Sequence, residues 1–180
     1  MSFADIHNHM LYGVDDGAKT PEETRALIDA AYADGVRHLC FTPHYHPAYF
    51  GEHQEEIAAG FRMASAYAAS RYLDLSLYLG NELRYERSCM EWLEQGRYKT
   101  LNGSQFLLVD FLYPEPADAI LDAMLRVLNG GYTPVLAHVE RYERVKGVHF
   151  CLAKNSKRKI HFSFTIIIKL IEKLSYLCYN

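Results

Sequence analysis

Short apolar runs alternate with longer amphipathic stretches over most of the chain. Because strands are short and helices longer, the runs predict strands and the stretches predict helices. The predicted strands are FADIH (3–7), RHLCFT (37–42), LSLYLG (75–80), QFLLVDF (105–111) and TPVLAH (133–138). The predicted helices cover residues 20–33, 53–72, 88–96 and 116–128. This βα order predicts an α/β fold with a parallel sheet, either doubly wound or closed as a barrel.

The first helix carries a start signal and the last helix a stop signal. Thr20 is the expected N-cap, with Pro21 at the first helical position and Glu23 at the third. Gly130 and Gly131 follow the last helix, where glycine commonly ends a helix. These signals separate the helices from the strands, and so indicate where the strands begin and end.

Residues that commonly bind metals gather at the C-terminal end of every predicted strand. They are His7, His9, His44, His46, Glu82, Asp110 and His138. In a parallel sheet these ends share one rim, so distant segments deliver imidazole and carboxylate groups to one place. Such ligands, without clustered thiolates, suit Mn, Fe or Zn, and their number suits two or three ions. A site of this kind favours phosphoester hydrolysis by a metal-bridging hydroxide.

Each of these residues has a simpler interpretation when it is taken alone. Asp15 and Asp16 precede a glycine, and such a pair commonly serves only a turn. Glu82 could pair with Arg84, and the two histidines of TPHYHP could lie in a surface loop. The metal-site interpretation is preferred because the simpler ones would all have to hold at the same rim.

Composition places the chain among ordinary globular proteins. Its 180 residues suit one domain, and a formal net charge of −3 predicts no nucleic-acid partner. The sequence predicts no transmembrane segment and no signal peptide, so the cytoplasm is the expected location. The cysteines form no CxxC pair, and none is followed by arginine six positions on, which argues against a cysteine-based phosphatase.

The composition of the chain changes near residue 147. Residues 1–147 carry 21 acidic and 13 basic side chains, a balance of −8. Residues 148–180 carry one acidic and six basic side chains, a balance of +5. One interpretation of this second part is a basic amphipathic helix from about Ile167 to Leu174. The preferred one is a tail foreign to the preceding domain, as a truncation or a frameshift would produce.

Five segments of the chain resemble a known family. They are DIHNHMLYGVDDGAKTPEET, FTPHYHP, GNELRY, LLVDF and LAHVERY, and they extend over nearly all of residues 3–146. In these segments the chain is similar to the PHP (polymerase and histidinol phosphatase) superfamily, and within it to the bacterial capsule-type, manganese-dependent protein-tyrosine phosphatases. The resemblance implies a distorted (β/α)7 barrel with a trinuclear metal centre, of which about five βα units are expected here.

The resemblance also implies a function and a set of site residues. Members of the family dephosphorylate bacterial tyrosine autokinases that control capsular and exopolysaccharide synthesis, so the expected partner is a phosphotyrosine protein. The oligomeric state stays open. The implied Mn²⁺ ligands are His7, His9, Asp16, His44, Glu82, Asp110 and His138. Arg141 is expected to hold the substrate phosphate, and Asp16 is expected to take part in catalysis.

Two features depart from the family pattern. Asp110 stands where the family usually has Glu, which shortens the reach of that carboxylate. The SDxHN-like segment that supplies a further Asp and His ligand does not occur after residue 147. The sequence therefore predicts an incomplete metallophosphatase domain over 1–147 and a distinct tail over 148–180. Two alternatives stay open: another PHP phosphoesterase, such as a histidinol-phosphate phosphatase, and a metal-binding remnant without activity.

Overall fold

A computed structural model describes residues 3–50, 52–112, 114–142 and 161–162 of the chain. Within these residues the elements are β1 (Phe3–Asp5), α1 (Pro21–Ala33), β2 (Val36–Phe41), β3 (His44–Tyr45), α2 (Gln54–Arg71), β4 (Ser76–Leu79), β5 (Glu82–Arg84), α3 (Cys89–Glu94), β6 (Phe106–Asp110), α4 (Ala117–Asn129), β7 (Thr133–Leu136) and β8 (His161–Phe162). All of the strand pairs that they form are parallel. The predicted α/β class with a parallel sheet is confirmed.

The strands form two sheets, and two stretches of the chain run from a strand of the first sheet directly into a strand of the second. One sheet has the order β1-β2-β4 and the other the order β3-β5-β6-β7-β8. Residues 42–43 carry β2 into β3, and residues 80–81 carry β4 into β5. The backbone N–H of Glu82 donates to the carbonyl of Pro43 at 3.0 Å, so the pairing continues across the break. In both sheets the spatial order of the strands follows their order in the chain, as in a barrel and not as in a doubly wound sheet. The described strands form an arc of such a barrel.

The predicted elements are all present, with bounds that differ by at most two residues. Thr20 caps α1 as expected, because its side chain accepts a hydrogen bond from the backbone N–H of Glu23 at 3.2 Å. Gly130 caps the end of α4. The very short strands β3, β5 and β8 were not predicted, since two or three residues show no recognisable alternation.

Strand β6 is buried on both faces, as a central parallel strand is expected to be. Leu107 and Val109 pack with α4 in the largest apolar cluster, which lies on the outer side of the sheet. Phe106 and Leu108 pack on the inner side. Side chains alternate along a strand, so Asp110 at the end of β6 follows Leu108 onto the inner side. The sheet therefore directs this carboxylate into the interior of the arc.

The second part of the chain is represented here by β8 alone. This strand pairs with β7, with His161 opposite Val135 and Phe162 opposite Leu136. β8 thus covers part of the edge of the sheet beside β7. The tail over 148–180 and its proposed helix otherwise lie outside the described residues. None of the described helices is both long and apolar enough to cross a bilayer.

Candidate metal centre

The segment between His7 and His9 is fixed to the end of β2 by the residue between them. The backbone N–H of Asn8 donates to the hydroxyl of Thr42 at 2.9 Å, and the N–H of Thr42 donates to the carbonyl of Asn8 at 3.1 Å. The side-chain amide of Asn8 also donates to the carbonyl of Cys40. Because side chains alternate in extended backbone, anchoring Asn8 on one side leaves both imidazoles on the other.

Glu82 is the centre of the site. Its side chain is completely buried, and four imidazole nitrogens approach its carboxylate. The distances to Oε2 are 3.1 Å from Nε2 of His7, 3.0 Å from Nε2 of His9 and 3.2 Å from Nδ1 of His44. Nε2 of His138 lies 3.2 Å from Oε1. Among the described residues, neither Glu82 oxygen has a hydrogen-bond partner of suitable geometry.

The tautomer of His9 shows what these short contacts require. Nδ1 of His9 lies 2.7 Å from Oδ2 of Asp15, whose side chain is buried, so Nδ1 carries a proton and donates it to that carboxylate. In a neutral ring Nε2 then presents a lone pair to Oε2 of Glu82 at 3.0 Å. Two electron-rich atoms at this distance need a proton or a cation between them. The same carboxylate–histidine arrangement orients imidazole ligands in metal sites.

The candidate ligand atoms fall into three adjacent groups. Two of them contain Glu82, and we call these the inner groups: His7, His9 and Glu82, and Glu82, Asp110 and His138. The third, which we call the outer group, is His9, Asp16 and His44. Within each group the ligand atoms lie within 4.8 Å of one another. The structure thus brings together all seven residues that the resemblance implied, and Glu82 and His9 are shared between groups.

The adjacent acids Asp15 and Asp16 have different positions. Asp15 is buried, bonds His9, and accepts hydrogen bonds from the backbone N–H groups of Gly17 and His44 at 2.9 Å. The side chain of Asp16 is 72% exposed, and its Oδ1 lies 3.8 Å from Nε2 of His44. Asp15 therefore orients two histidines, whereas Asp16 is the carboxylate available to an ion. The turn role suggested by the sequence applies to Asp15, in addition to its bond with His9.

Asp110 is held by two neighbours. The Tyr142 hydroxyl lies 3.1 Å from Oδ1 of Asp110 and accepts a hydrogen bond from the backbone N–H of Phe111. Nη2 of Arg84 lies 3.4 Å from Oδ2 of Asp110. The suggested pairing of Arg84 with Glu82 is therefore wrong, because the guanidinium contacts the acid of the neighbouring strand. The shorter acid at this position still places an oxygen within the second inner group.

His138 and Arg141 occupy one tight turn after β7. His138 has the left-handed backbone conformation, with φ of 50°, and a 3₁₀ turn over Val139–Arg141 follows it. The backbone N–H of Arg141 donates to the carbonyl of His138 at 2.8 Å. The contact with Glu82 raises the pKa of His138, and the charge of Arg141 opposes that rise. The exposed Arg141 is thus close enough to the inner groups for its charge to act there.

His46 lies outside the three ligand groups and has another task. It is buried rather than in a surface loop, as is His44, so the surface-loop interpretation of TPHYHP is wrong. Its Nε2 bonds Glu86 at 3.1 Å, and its carbonyl accepts from the N–H groups of Tyr49 and Phe50. These contacts fix the loop that carries the two aromatic residues. Nothing in a His-x-His pattern separates an anchor from a ligand, so the sequence could not assign this role.

Charge in the site is organised around Glu82 and His9. Burial alone would raise the pKa of Glu82, but contacts with His138, His7 and His9 hold it well below its usual range. Burial would lower the pKa of His9, but its contacts with Asp15 and Glu82 outweigh burial and raise it to about 10. The pKa of His44 is lowered, mainly by burial. Without an ion, protonated His9 therefore lies between two carboxylates, where a cation would otherwise be expected.

The donor set and its spacing fit divalent transition metals. Two ligand atoms that each lie about 2.1 Å from one ion at a right angle are about 3.0 Å apart. The imidazole nitrogens lie 3.0–3.2 Å from the Glu82 oxygens without hydrogen-bond geometry, as such ligand pairs would. Mixed imidazole and carboxylate donors suit Mn, Fe or Zn. These residues could hold adjacent ions that share Glu82 and His9.

Comparison with known proteins identifies the family. A family model described as capsular polysaccharide synthesis, CpsB/CapC, matches residues 3–154. The chain belongs to the CpsB/CapC family. The match includes all three candidate ligand groups and Arg141. The capsule-type family expected from the sequence motifs is thereby confirmed.

Curated CpsB/CapC relatives resemble the chain over most of its length. The tyrosine-protein phosphatase CpsB of Streptococcus agalactiae is 36% identical over 151 residues, which cover 80% of this chain and 62% of the relative. CpsB of Streptococcus pneumoniae is 35% identical over 142 residues, covering 79% and 58%. The tyrosine-protein phosphatase YwqE of Bacillus subtilis is 30% identical over 150 residues, covering 79% and 56%. The chain thus spans about three-fifths of the length of these relatives.

A solved structure has the same fold. It comes from work on YwqE of Bacillus subtilis and CpsB of Streptococcus pneumoniae, described as unique metal-dependent tyrosine phosphatases. The TM-score is 0.69 at 24% sequence identity, and the match covers 79% of this chain and 58% of that chain. This likeness shows the fold, and it agrees with the arc of parallel strands described above.

Proposed function

We propose that this chain is a metal-dependent phosphotyrosine-protein phosphatase. The observation that carries the proposal is the buried carboxylate of Glu82, which faces four imidazole nitrogens at 3.0–3.2 Å without a hydrogen-bond partner of suitable geometry among the described residues. A polar constellation of this kind suits bound cations, and phosphoester hydrolysis is the chemistry that clustered cations favour. The names of the relatives support tyrosine phosphate as the substrate.

The proposed cofactor is Mn²⁺, with Fe or Zn as alternatives, in two or three ions. The proposed ligands are His7, His9, Asp16, His44, Glu82, Asp110 and His138. When bound, such ions lower the pKa of water and neutralise the phosphoryl oxygens. Asp15 keeps Nε2 of His9 deprotonated and directed at the ion by holding the proton on Nδ1.

Two further residues are assigned roles toward the substrate. Arg141, exposed beside His138, offers a planar guanidinium that suits two phosphate oxygens at once. Asp16 has the most exposed side chain of the proposed ligands, so its carboxylate lies where substrate and water enter. Arg141 therefore binds and orients the phosphoryl group, and Asp16 acts on the solvent side of the centre.

The proposed substrate is the phosphorylated tail of a bacterial tyrosine autokinase that controls capsular or exopolysaccharide synthesis. The description of the family as capsular polysaccharide synthesis proteins supports this assignment. The proposal places the chain in the cytoplasm. It assigns the metallophosphatase domain to residues 1–147 and leaves residues 148–180 as a distinct tail.

The test combines metal analysis with turnover by the full chain. The protein is purified in Mn²⁺, bound ions are counted, and phosphate release from a phosphotyrosine peptide is measured with and without a chelator. We expect at least two ions per chain and turnover that the chelator abolishes. Histidinol phosphate is assayed in parallel, and a preference for it would assign another PHP phosphoesterase activity instead. Metal binding without turnover of either substrate would make the chain a non-catalytic metal-binding protein.

A further inference from the structure

Arg84 is a cationic residue at the metal centre that the sequence motifs did not assign to the substrate. It ends β5 two residues after Glu82, so both side chains leave the same face of the strand. Nη2 lies 3.4 Å from Oδ2 of Asp110, and the side chain is 20% exposed. The guanidinium is therefore beside the inner groups and still open to solvent.

The hydrogen-bonding capacity of this guanidinium is largely unused. An arginine that pairs with a carboxylate commonly makes two parallel bonds of 2.7–2.9 Å. Here the contact with Asp110 is single and long. Nε is buried, and within the described ranges it has no hydrogen-bond partner. A planar fork with free donors next to a cation site suits the oxygens of a phosphoryl group.

Two aromatic rings hold the guanidinium in place. Its central carbon lies 5.3 Å from the ring centre of Phe50 and 5.6 Å from that of Tyr49. Phe50 is itself stacked on His44, with ring centres 4.4 Å apart and planes only 10° from parallel. His46 anchors this loop, because its carbonyl accepts from the N–H groups of both aromatic residues. Arg84 is thus positioned before any ligand arrives.

Tyr49 differs from Phe50 in its exposure. It is 61% exposed although its backbone is fixed by His46 and its ring lies 4.6 Å from the His46 ring. A large aromatic surface that is both exposed and immobilised is available to the flat face of a ligand ring. Its ring centre lies 5.6 Å from the central carbon of the Arg84 guanidinium, so one ligand can reach the ring and the guanidinium together.

We propose that Arg84 and Tyr49 form an aryl-phosphate subsite beside the metal centre. The Arg84 guanidinium binds a phosphoryl oxygen, and the Tyr49 ring packs against the aromatic ring of the substrate. The inference rests on the proposed phosphatase function and deepens it, because it names residues that select aryl over alkyl phosphate monoesters. Arg84 is a second guanidinium on the substrate, in addition to Arg141.

The test uses the full chain loaded with Mn²⁺ and two probes. Phenyl phosphate reports turnover, and phenylphosphonate, which cannot be hydrolysed in the same way, reports binding by calorimetry. We expect Arg84→Gln to raise KM for phenyl phosphate and to weaken phenylphosphonate binding by about tenfold to a hundredfold, with unchanged bound Mn²⁺. Arg84→Lys should recover part of the loss, since it restores the charge but not the fork. Arg87→Gln, at an exposed arginine three residues on, is the matched control and should change neither value.

Tyr49 is tested by the preference between substrates. Tyr49→Leu should reduce the ratio of kcat/KM for phenyl phosphate over an alkyl phosphate about threefold or more, whereas Tyr49→Phe should keep it. Unchanged KM and phenylphosphonate affinity in Arg84→Gln would overturn the subsite, and so would a loss of bound Mn²⁺, which would make Arg84 a support for Asp110. If the unaltered chain hydrolyses no phosphate ester, the proposed function fails separately, while its phenylphosphonate affinity still decides the role of Arg84.

Discussion

Glu82 and Asp16 are both candidate ligands, yet the Glu82 side chain is completely buried and the Asp16 side chain is 72% exposed. Glu82 stands on a strand whose backbone is bonded to β3 and β6. Asp16 stands on a turn closed by two backbone bonds, from Gly13 to Ala18 and from Ala18 to His9. The inner groups therefore depend on the sheet, whereas the outer group depends on a short loop.

This difference indicates that the outer group can lose its ion while the inner groups stay intact. The sheet opens only when the domain unfolds, but a surface turn can rearrange at much lower free energy. We expect the inner groups to keep an ion under conditions that empty the outer group. His9 belongs to both, so it couples the two parts.

The largest effect is expected from Glu82→Gln, which breaks the inner groups. The change keeps the size of the side chain and removes the charge that both inner groups share. We expect the loss of most bound metal and a fall of about three orders of magnitude in kcat/KM. Ion counting and steady-state kinetics measure these values, and circular dichroism checks that the fold is intact. Retention of full metal content would show that Glu82 is not a shared ligand.

The next largest effect is the pH dependence of stability in the metal-free protein, where protonated His9 contacts both Asp15 and Glu82. Burial lowers the pKa of His9, but contacts with Asp15 and Glu82 raise it from 6.5 to about 10. Because the folded value lies above the unfolded one, the stabilisation is complete below pH 6.5 and is lost as the pH rises toward 10.

Urea unfolding in the presence of a chelator measures this loss. Between pH 6.5 and 10 we expect the free energy of unfolding to fall by about 3 kcal/mol, allowing for the partial exposure of the ring. His9→Asn should remove most of this pH dependence. An equal slope in the variant would mean that other groups cause it.

A change at Gly17 perturbs the turn of the outer group without replacing any ligand residue. A Cβ at this position would overlap the backbone oxygen and the Cβ of His9, so Gly17→Ala must displace the turn that carries Asp15 and Asp16. We expect the affinity for one ion to fall about tenfold to a hundredfold, while the inner ion is retained. Metal titration followed by calorimetry resolves the two classes of site.

Gly13 provides the matched control for this experiment, because it lies in the same turn and an added Cβ would meet nothing within 4 Å. Its φ of +70° makes Gly13→Ala costly by about 1 kcal/mol. We expect that variant to be less stable but to bind the outer ion more tightly than Gly17→Ala does. Equal losses of affinity would mean that any disturbance of the turn empties the outer group.

The smallest effect is expected at Thr20, which caps α1 and is not one of the proposed ligands. Its side chain accepts a hydrogen bond from the N–H of Glu23 at the start of α1. Thr20→Ala should lower the free energy of unfolding by about 1 kcal/mol. Metal content and kcat should not change. A change in metal content would mean that the capped end of α1 also supports the neighbouring ligand turn.

The predictable part of this molecule is the part that local chemistry decides. The Thr20 cap, the strand positions and the clustering of ligand residues at one rim follow from propensity, alternation and the parallel arrangement. The breaks in the strands after β2 and β4 could not be predicted in this way. They depend on how Pro43 and the segment 80–81 pair with neighbouring strands. These breaks create β3 and β5, the strands that place His44 opposite Glu82.

Roles that depend on contacts between distant residues could not be predicted from sequence. Asp15 and Asp16 are adjacent and chemically identical, and only the position of His9 decides which one is buried. The support given by Asn8 to the two neighbouring imidazoles depends on Thr42, 34 residues away. Arg84 contacts an acid on the next strand rather than the acid two residues before it.

The left-handed backbone of His138 affects which residues are tolerated at this position. For a residue with a side chain this conformation costs about 1 kcal/mol, and glycine or asparagine would bear it more easily. In a library of variants at position 138 selected for thermal survival without metal, we expect those two residues to be enriched. Selection of the same library for metal retention should return histidine. Selection for stability and selection for metal binding would thus favour different residues at position 138.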